Sequence, residues 1–202
     1  YNFNGVGDIT VGQGYQLKLT SDTSLSISGD YAVPENNPID LASGWNMIGY
    51  LRVDSANAQA VFAELDATDN LVIVKDFQGS AYLPEYNFNG IGDMFPGQGY
   101  QLKLNEADVL TYLSNEESYR FASLEVTSNV LSHFVAVSPT DQNMTIVIED
   151  AAWAKLPHTG AEIAVYDQVG SLVGSAVYSS PVTVLTVWGD DATTRAKDGL
   201  FN

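Results

Sequence analysis

Residues 1–20 read YNFNGVGDITVGQGYQLKLT, and residues 86–105 read YNFNGIGDMFPGQGYQLKLN. Fifteen of these twenty positions are identical, at a constant offset of 85 residues. A shared strand pattern constrains only which positions are apolar, so identity at this level marks a duplicated unit. The pattern carries on past the copied stretch, where Leu25 aligns with Leu110 and Ile27 with Tyr112. Residues 1–40 therefore read as the closing part of one repeat. A complete repeat occupies 41–124, opening at LASGWNMIGYLRV and closing near Leu113.

Within that repeat the residue types predict the elements. Trp45, Met47 and Gly49 alternate with Asn46, Ile48 and Tyr50, the period of a strand. The alanine-rich stretch 56–65, containing NAQAVFAEL, suits a short helix, with Asp54 or Ser55 as its cap. Asp69-Asn70 makes a turn, and the β-branched LVIVKDF that follows predicts a buried strand. GYQLKL predicts another, with Tyr100, Leu102 and Leu104 on one face.

After Glu125 the texture changes to short β runs, NMTIVIED, AEIAVYD, SLVGSAVY and VTVLTVWG, separated by turn signals. Strands at that spacing predict a β-sandwich over 125–202. AAWAKLP predicts one helical turn ended by Pro157. The closing DGLFN reads as the start of a further strand, so this domain is expected to lack its last one. The fold class expected for the whole chain is mainly β, with sandwich-like domains and one or two short helices.

Composition agrees. Of the 202 residues 45% are hydrophobic and 11% aromatic, with 17 Gly and 7 Pro, enough apolar mass to offset chain entropy. Twenty-five acidic residues against eight basic ones give a net charge of −17. Such a surface repels phosphate backbones and anionic headgroups, which argues against nucleic acid and membrane partners. The longest apolar run falls short of the roughly 18 residues a membrane helix needs. The absence of cysteine excludes thiolate chemistry and disulfides.

The stretches GWNMIGYL, VIVKDFQGSAYLPEYNFNGIGDMFPGQGYQLKL, AEIAVYDQVGSLVGSAVY and VTVLTVWGDDATTRAKDG together resemble tandem-repeat modules of large secreted or cell-surface proteins of Bacteroidetes-type bacteria. Many of those proteins are type IX secretion substrates. The resemblance covers most of the chain and is poor over 106–140. It implies an extracellular or cell-surface location and a structural or adhesive role, and it carries over no catalytic residues.

Candidate chemistry is sparse. The two histidines, His133 and His158, lie in an apolar run and beside a turn, and no serine sits in a nucleophile elbow. The many carboxylates form no legible acid/base pair. The sequence therefore predicts no enzyme and no obligatory cofactor. Two loops concentrate oxygen ligands. In NFNGIGD, Asn87, Asn89 and Asp93 alternate around a glycine bend as calcium ligands do, echoed by Asn2, Asn4 and Asp8. Their other reading is a turn whose glycines supply positive φ. In WGDDATTRAKDG, Asp190, Asp191 and Asp198 suit a hard cation, or Asx turns neutralised by Arg195 and Lys197. Ca2+ is the one ion these loops suggest.

Trp45 and Trp188 are the candidate platforms for a sugar ring, which makes a carbohydrate-binding module of a secreted protein the alternative to a scaffold. Strand alternation favours interior positions for Trp45 and Tyr100, and outward ones for Lys18 and Lys103. The expected partners are neighbouring repeats or further copies of the same protein, joined head-to-tail as in a filament, and surface glycans on the alternative reading.

Overall fold

A computed structural model describes residues 5–26, 28–117, 130–191 and 199. Two compact units divide the chain: Tyr1–Asp76 with Tyr82–Leu124, and Phe77–Ala81 with Glu125–Asn202. The protein is mainly β, as its residue types require.

The first unit contains β1 (Ile39–Leu41), β2 (Gly44–Gly49), β3 (Ala56–Asn57), α1 (Ala58–Val61), α2 (Ala63–Asp66), β4 (Leu71–Lys75), β5 (Ala81–Leu83), β6 (Phe88–Asn89), β7 (Asp93–Met94), β8 (Gly99–Leu104) and β9 (Asp108–Leu110). Five of them form one sheet in the order β2-β8-β4-β5-β6, while β1 pairs with β9 and β3 with β7. β8, part of the second sequence copy, is the strand the sheet is built around. It runs antiparallel to β2, with Ile48 opposite Tyr100 and Gly44 opposite Leu104, and to β4, with Val74 opposite Leu102. Alternation then sends Tyr100, Leu102 and Leu104 into a core shared with Ile48, Val74, Phe62 and Leu65. Lys103, on the other face, is exposed.

Two local devices start these elements. Asn46 folds its amide back onto Ala42, accepting from the Ala42 N–H at 2.9 Å and donating to its carbonyl at 2.8 Å, so the turn into β2 is closed by the third residue of GWN. The helix cap is Asn57, not Asp54 or Ser55. Its Oδ1 accepts from the Gln59 N–H at 3.0 Å. Ala56 and Asn57 are first held extended by pairing with Met94 and Asp93, which delays the helix by two residues. At the Asp69-Asn70 turn, Asp69 takes φ 53° and Asn70 is buried. The Asn70 side chain accepts from the Glu106 N–H and donates to Asp108, tying the turn to the chain that enters β9.

The second unit holds β10 (Asn143–Glu149), β11 (Glu162–Tyr166), β12 (Leu172–Val177) and β13 (Val182–Trp188). β10 pairs with β13 over seven residues, and β11 pairs with β12. Val173 of β12 packs with Leu185 and Val187 of β13, and Ile146, Ile148, Ile163 and Val165 close the cluster. Gly174 permits this: a Cβ there would stand 2.5 Å from the Thr186 carbonyl oxygen. In AAWAKLP the turn forms as a 3-10 helix over Asp150–Ala152, one residue earlier than the sequence suggests.

The chain before β10 is tied to β11 by one carboxylate. Glu162 accepts from the Ser132 N–H, the Ser132 hydroxyl, the His133 N–H and the Phe134 N–H, all at 2.6–3.0 Å. The Phe134 N–H first, then the Ser132 hydroxyl, hold its pKa down to about 2.

Candidate functional site

The two sequence copies meet at β2. In the second copy, Phe95–Gly99 forms a turn whose parts depend on one another: Gln98 N–H donates to the Phe95 carbonyl at 3.2 Å, the Tyr100 hydroxyl accepts from the Phe95 N–H at 2.9 Å, and that hydroxyl donates to Gln98 Oε1 at 2.9 Å. The first copy makes the same turn bond for bond. Gln13 N–H donates to the Thr10 carbonyl at 3.2 Å, and the Tyr15 hydroxyl accepts from the Thr10 N–H at 2.8 Å and donates to Gln13 Oε1 at 3.2 Å. Gly12 and Gly97 both supply the left-handed residue, at φ 81° and 78°. The duplication is therefore one of conformation as well as of letters at this turn.

Each copy then touches β2 differently. The second copy enters β8 and pairs along β2, beginning where Gln98 accepts from the Tyr50 N–H. The first copy docks through its turn. Gly14 N–H donates to the Met47 carbonyl at 3.1 Å, and Gly49 N–H donates to the Gly12 carbonyl at 2.9 Å, leaving Gln13 opposite Ile48. β2 is thus flanked by GQG from both copies.

The contact is main chain on main chain. A Cβ on Gly14 would lie 2.5 Å from the Ile48 carbonyl oxygen, and one on Gly12 would lie 2.8 Å from Ile39 Cγ1. The duplicated sequence gave no direct sign of this docking. Its one signal is the G-x-G spacing, because glycine in a strand-like stretch often marks close backbone approach.

Beyond the turn the copies part. Gln16–Thr20 carries no strand. Leu17 is 69% exposed where its counterpart Leu102 is wholly buried, Leu19 is 51% exposed against 2% for Leu104, and Ile9 is 78% exposed against none for Met94. Leu25 is likewise exposed, whereas Leu110 is buried in β9 opposite Ile39. Ile27 lies outside the described residues.

Of the residues singled out for metal, Asn87 and Asn89 make side-chain hydrogen bonds within the fold. Asn87 takes the left-handed conformation and accepts from Gln59 at 3.2 Å. Asn89 accepts from the Gly92 N–H at 3.0 Å and donates to Asn57 Oδ1 at 3.1 Å, so it braces its own loop against the cap of α1. Asp93 is exposed and lies opposite Asn57 in the β3–β7 pair. Asn2 and Asn4 lie outside the described residues, and Asp8 is exposed. Asp191 is buried and Asp190 half-buried, while Arg195, Lys197 and Asp198 lie outside the described residues. Among the described residues no three acidic or histidine side chains gather as a metal-binding group.

The aromatic candidates separate. Trp188 is buried at the end of β13. Tyr100 is buried as strand alternation suggests, whereas Trp45 is 55% exposed, which corrects the interior position expected for it. The reason is parity: Asn46 and Ile48 stand opposite the inward Leu102 and Tyr100, which leaves Trp45 and Met47 on the other face. There Trp45 stands opposite the exposed Lys103, with Lys75 Nζ 5.8 Å from its ring centroid. Burial lowers the basicity of that lysine. His133 and His158, both in the second unit, are engaged separately: the His133 N–H with Glu162, and His158 Nδ1 with the Thr159 carbonyl.

No helix among the described residues is long and apolar enough to cross a membrane. No family model, curated protein or solved structure matches this chain.

Proposed function

We propose that this chain is an extracellular structural or adhesive module, a repeat-built part of a cell-surface scaffold that associates with neighbouring repeats or further copies of itself. The observation that carries this reading is β2 bonded by backbone hydrogen bonds to the same duplicated turn in both copies. A contact of that kind makes surface, not chemistry, and stacking repeats bury through their neighbours what each cannot bury alone. Its resemblance to repeat modules of secreted bacterial proteins supports the location. Head-to-tail contacts between copies run on as filaments wherever their rotation does not close into a ring.

Antibody labelling of intact host cells tests the location: labelling without permeabilisation is expected, and labelling only after lysis rejects it. Negative-stain microscopy and sedimentation of the full chain at high concentration test filament growth, and a strict monomer rejects the filament form.

One observation favours a second reading. Trp45 offers an exposed indole face beside Lys75 and Lys103, the kind of platform a pyranose ring stacks on. On a glycan array, binding that disappears with Trp45→Ala and survives Trp188→Ala would place carbohydrate recognition ahead of the scaffold.

A further inference from the structure

The geometry points to the first sequence copy being a donor strand: Tyr15–Leu19 is built to fill the central slot of a second, vacant opening half-repeat of the type that residues 37–85 provide. This deepens the scaffold reading above and rests on it.

Three observations carry the assignment. First, the covering partner is visible within the same molecule. The sequence GYQLKL at 99–104 lies between β2 and β4, both supplied by the opening half, and there Leu102 and Leu104 are buried. The identical GYQLKL at 14–19 leaves Leu17 and Leu19 exposed. Leu25 extends the same contrast to the strand after β8. Second, the turn ahead of the donor strand is already set, with the Tyr15 hydroxyl holding Thr10 and Gln13 as Tyr100 holds Phe95 and Gln98. The bend that leads into β8 is thus already formed ahead of Tyr15–Leu19.

Third, docking on β2 does not use the group that pairing would need. The second copy first meets its opening half through the Gln98 carbonyl, whereas the first copy is held on β2 through the Gly12 carbonyl and the Gly14 N–H. β4 pairs with β8 only at Gln101–Leu104, so the positions equivalent to Gly12 and Gly14 lie ahead of the stretch that β4 takes. The first copy can join a vacant opening half while staying docked on β2, and one repeat would then hand over directly to the next.

A vacant half is the occupant rather than an already complete second copy of this chain. In a complete copy the slot holds that copy's own β8, carried on the same chain as β2 and β4, and a tethered strand has an effective concentration that an untethered one does not match.

The test extends the full chain at its N-terminus by a second copy of residues 37–85, so that Glu85 precedes Tyr1 as it precedes Tyr86. Hydrogen exchange is read at the amides of 15–19, with those of 100–104 as the internal measure of a folded repeat. Exchange at 15–19 is expected to slow by about a hundredfold or more relative to the unextended chain, because those amides enter a sheet. Leu17→Asp with Leu19→Asp in the extended chain should restore fast exchange there and leave 100–104 protected. Unchanged fast exchange at 15–19 with 100–104 protected overturns the proposal, and so does protection that survives the double substitution. Sedimentation of the unextended chain supplies the other arm: a dimer abolished by the same double substitution would make a second complete copy the occupant, and would overturn the assignment to a vacant half. Cell-surface labelling is unaffected by any of these outcomes, so the scaffold reading stands or falls separately.

Discussion

Leu17 and Leu102 occupy the same place in the same hexapeptide, GYQLKL, yet one faces solvent and the other is sealed in the core. The turn that precedes each is the same, down to the tyrosine hydroxyl that bridges it. What differs is whether β2-like and β4-like strands stand on either side. Turn geometry is therefore a local property of GQGY, carried by two glycines and one tyrosine, while strand formation is a property of the partners. β-propensity measures how a residue fits a half-buried surface, and without the surface it decides little.

The largest effect expected from this contrast is at the paired leucines. Leu102→Ala should cost about 2–5 kcal/mol of unfolding free energy in urea titration, the usual range for a cavity in a closed core. Leu17→Ala should stay within about 0.5 kcal/mol, as for a surface position. Equal losses at the two sites would break the comparison, because they would mean that Leu17 is packed.

Next come the glycines that the two copies use differently. Gly14→Ala drives a methyl to 2.5 Å from the Ile48 carbonyl oxygen, whereas at Gly99 the nearest atom to an added Cβ is 3.6 Å away. Gly14→Ala should release the first copy from β2 at a cost of about 1–3 kcal/mol, the scale of a strained contact. Faster exchange of the Gly49 amide, which donates to the Gly12 carbonyl, would report the release. Gly99→Ala should leave that amide unchanged.

A smaller effect separates the tyrosines. Tyr100→Phe removes the acceptor of the Phe95 N–H in a buried setting and should cost about 1–2 kcal/mol, whereas Tyr15→Phe, in a wetter one, should cost under about 0.5 kcal/mol. Thermal or urea unfolding of the two variants side by side checks this.

The smallest effect lies in the second unit and leaves both copies as controls. Glu162 is held ionised to a pH of about 2, below its usual value near 4.5. A carboxylate whose acidity is raised on folding stabilises above its unfolded pKa, and that contribution is lost as pH falls through the folded one. The tether of Ser132–Phe134 should thus loosen between about pH 4.5 and pH 2, seen as lower protection of those three amides relative to their intrinsic exchange rates at each pH. Glu162→Gln should remove most of that pH dependence while leaving residues 98–104 unaffected.

How much of this was legible in the sequence follows the same division between local and non-local causes. The strands of the complete repeat, the buried face of GYQLKL and the outward Lys103 follow from period-2 alternation, which needs no knowledge of neighbours. The cap of α1 was misplaced because Ala56–Asn57 is recruited as a strand by Met94 and Asp93, nearly forty residues away. For Trp45, strand alternation suggests an interior position but cannot say which face is inward, and that is set by the register of β2 on β8. The hydrogen bonds of the loop asparagines to Asn57 and Gln59 could not be read from the sequence, because those partners lie about thirty residues away and only the fold brings them within reach. The docking of Gly12–Gly14 on β2 left almost no trace, since a contact without side chains writes little into a sequence.

That last point has a consequence for how such a protein can change. The joint at Gly12, Gly14 and Gly49 recognises main-chain amides and carbonyls, which every residue carries. Positions around it are free to drift, so long as these few sites stay bare and the tyrosine brace holds the bend. Units that had lost all visible kinship could still click together like identical ones.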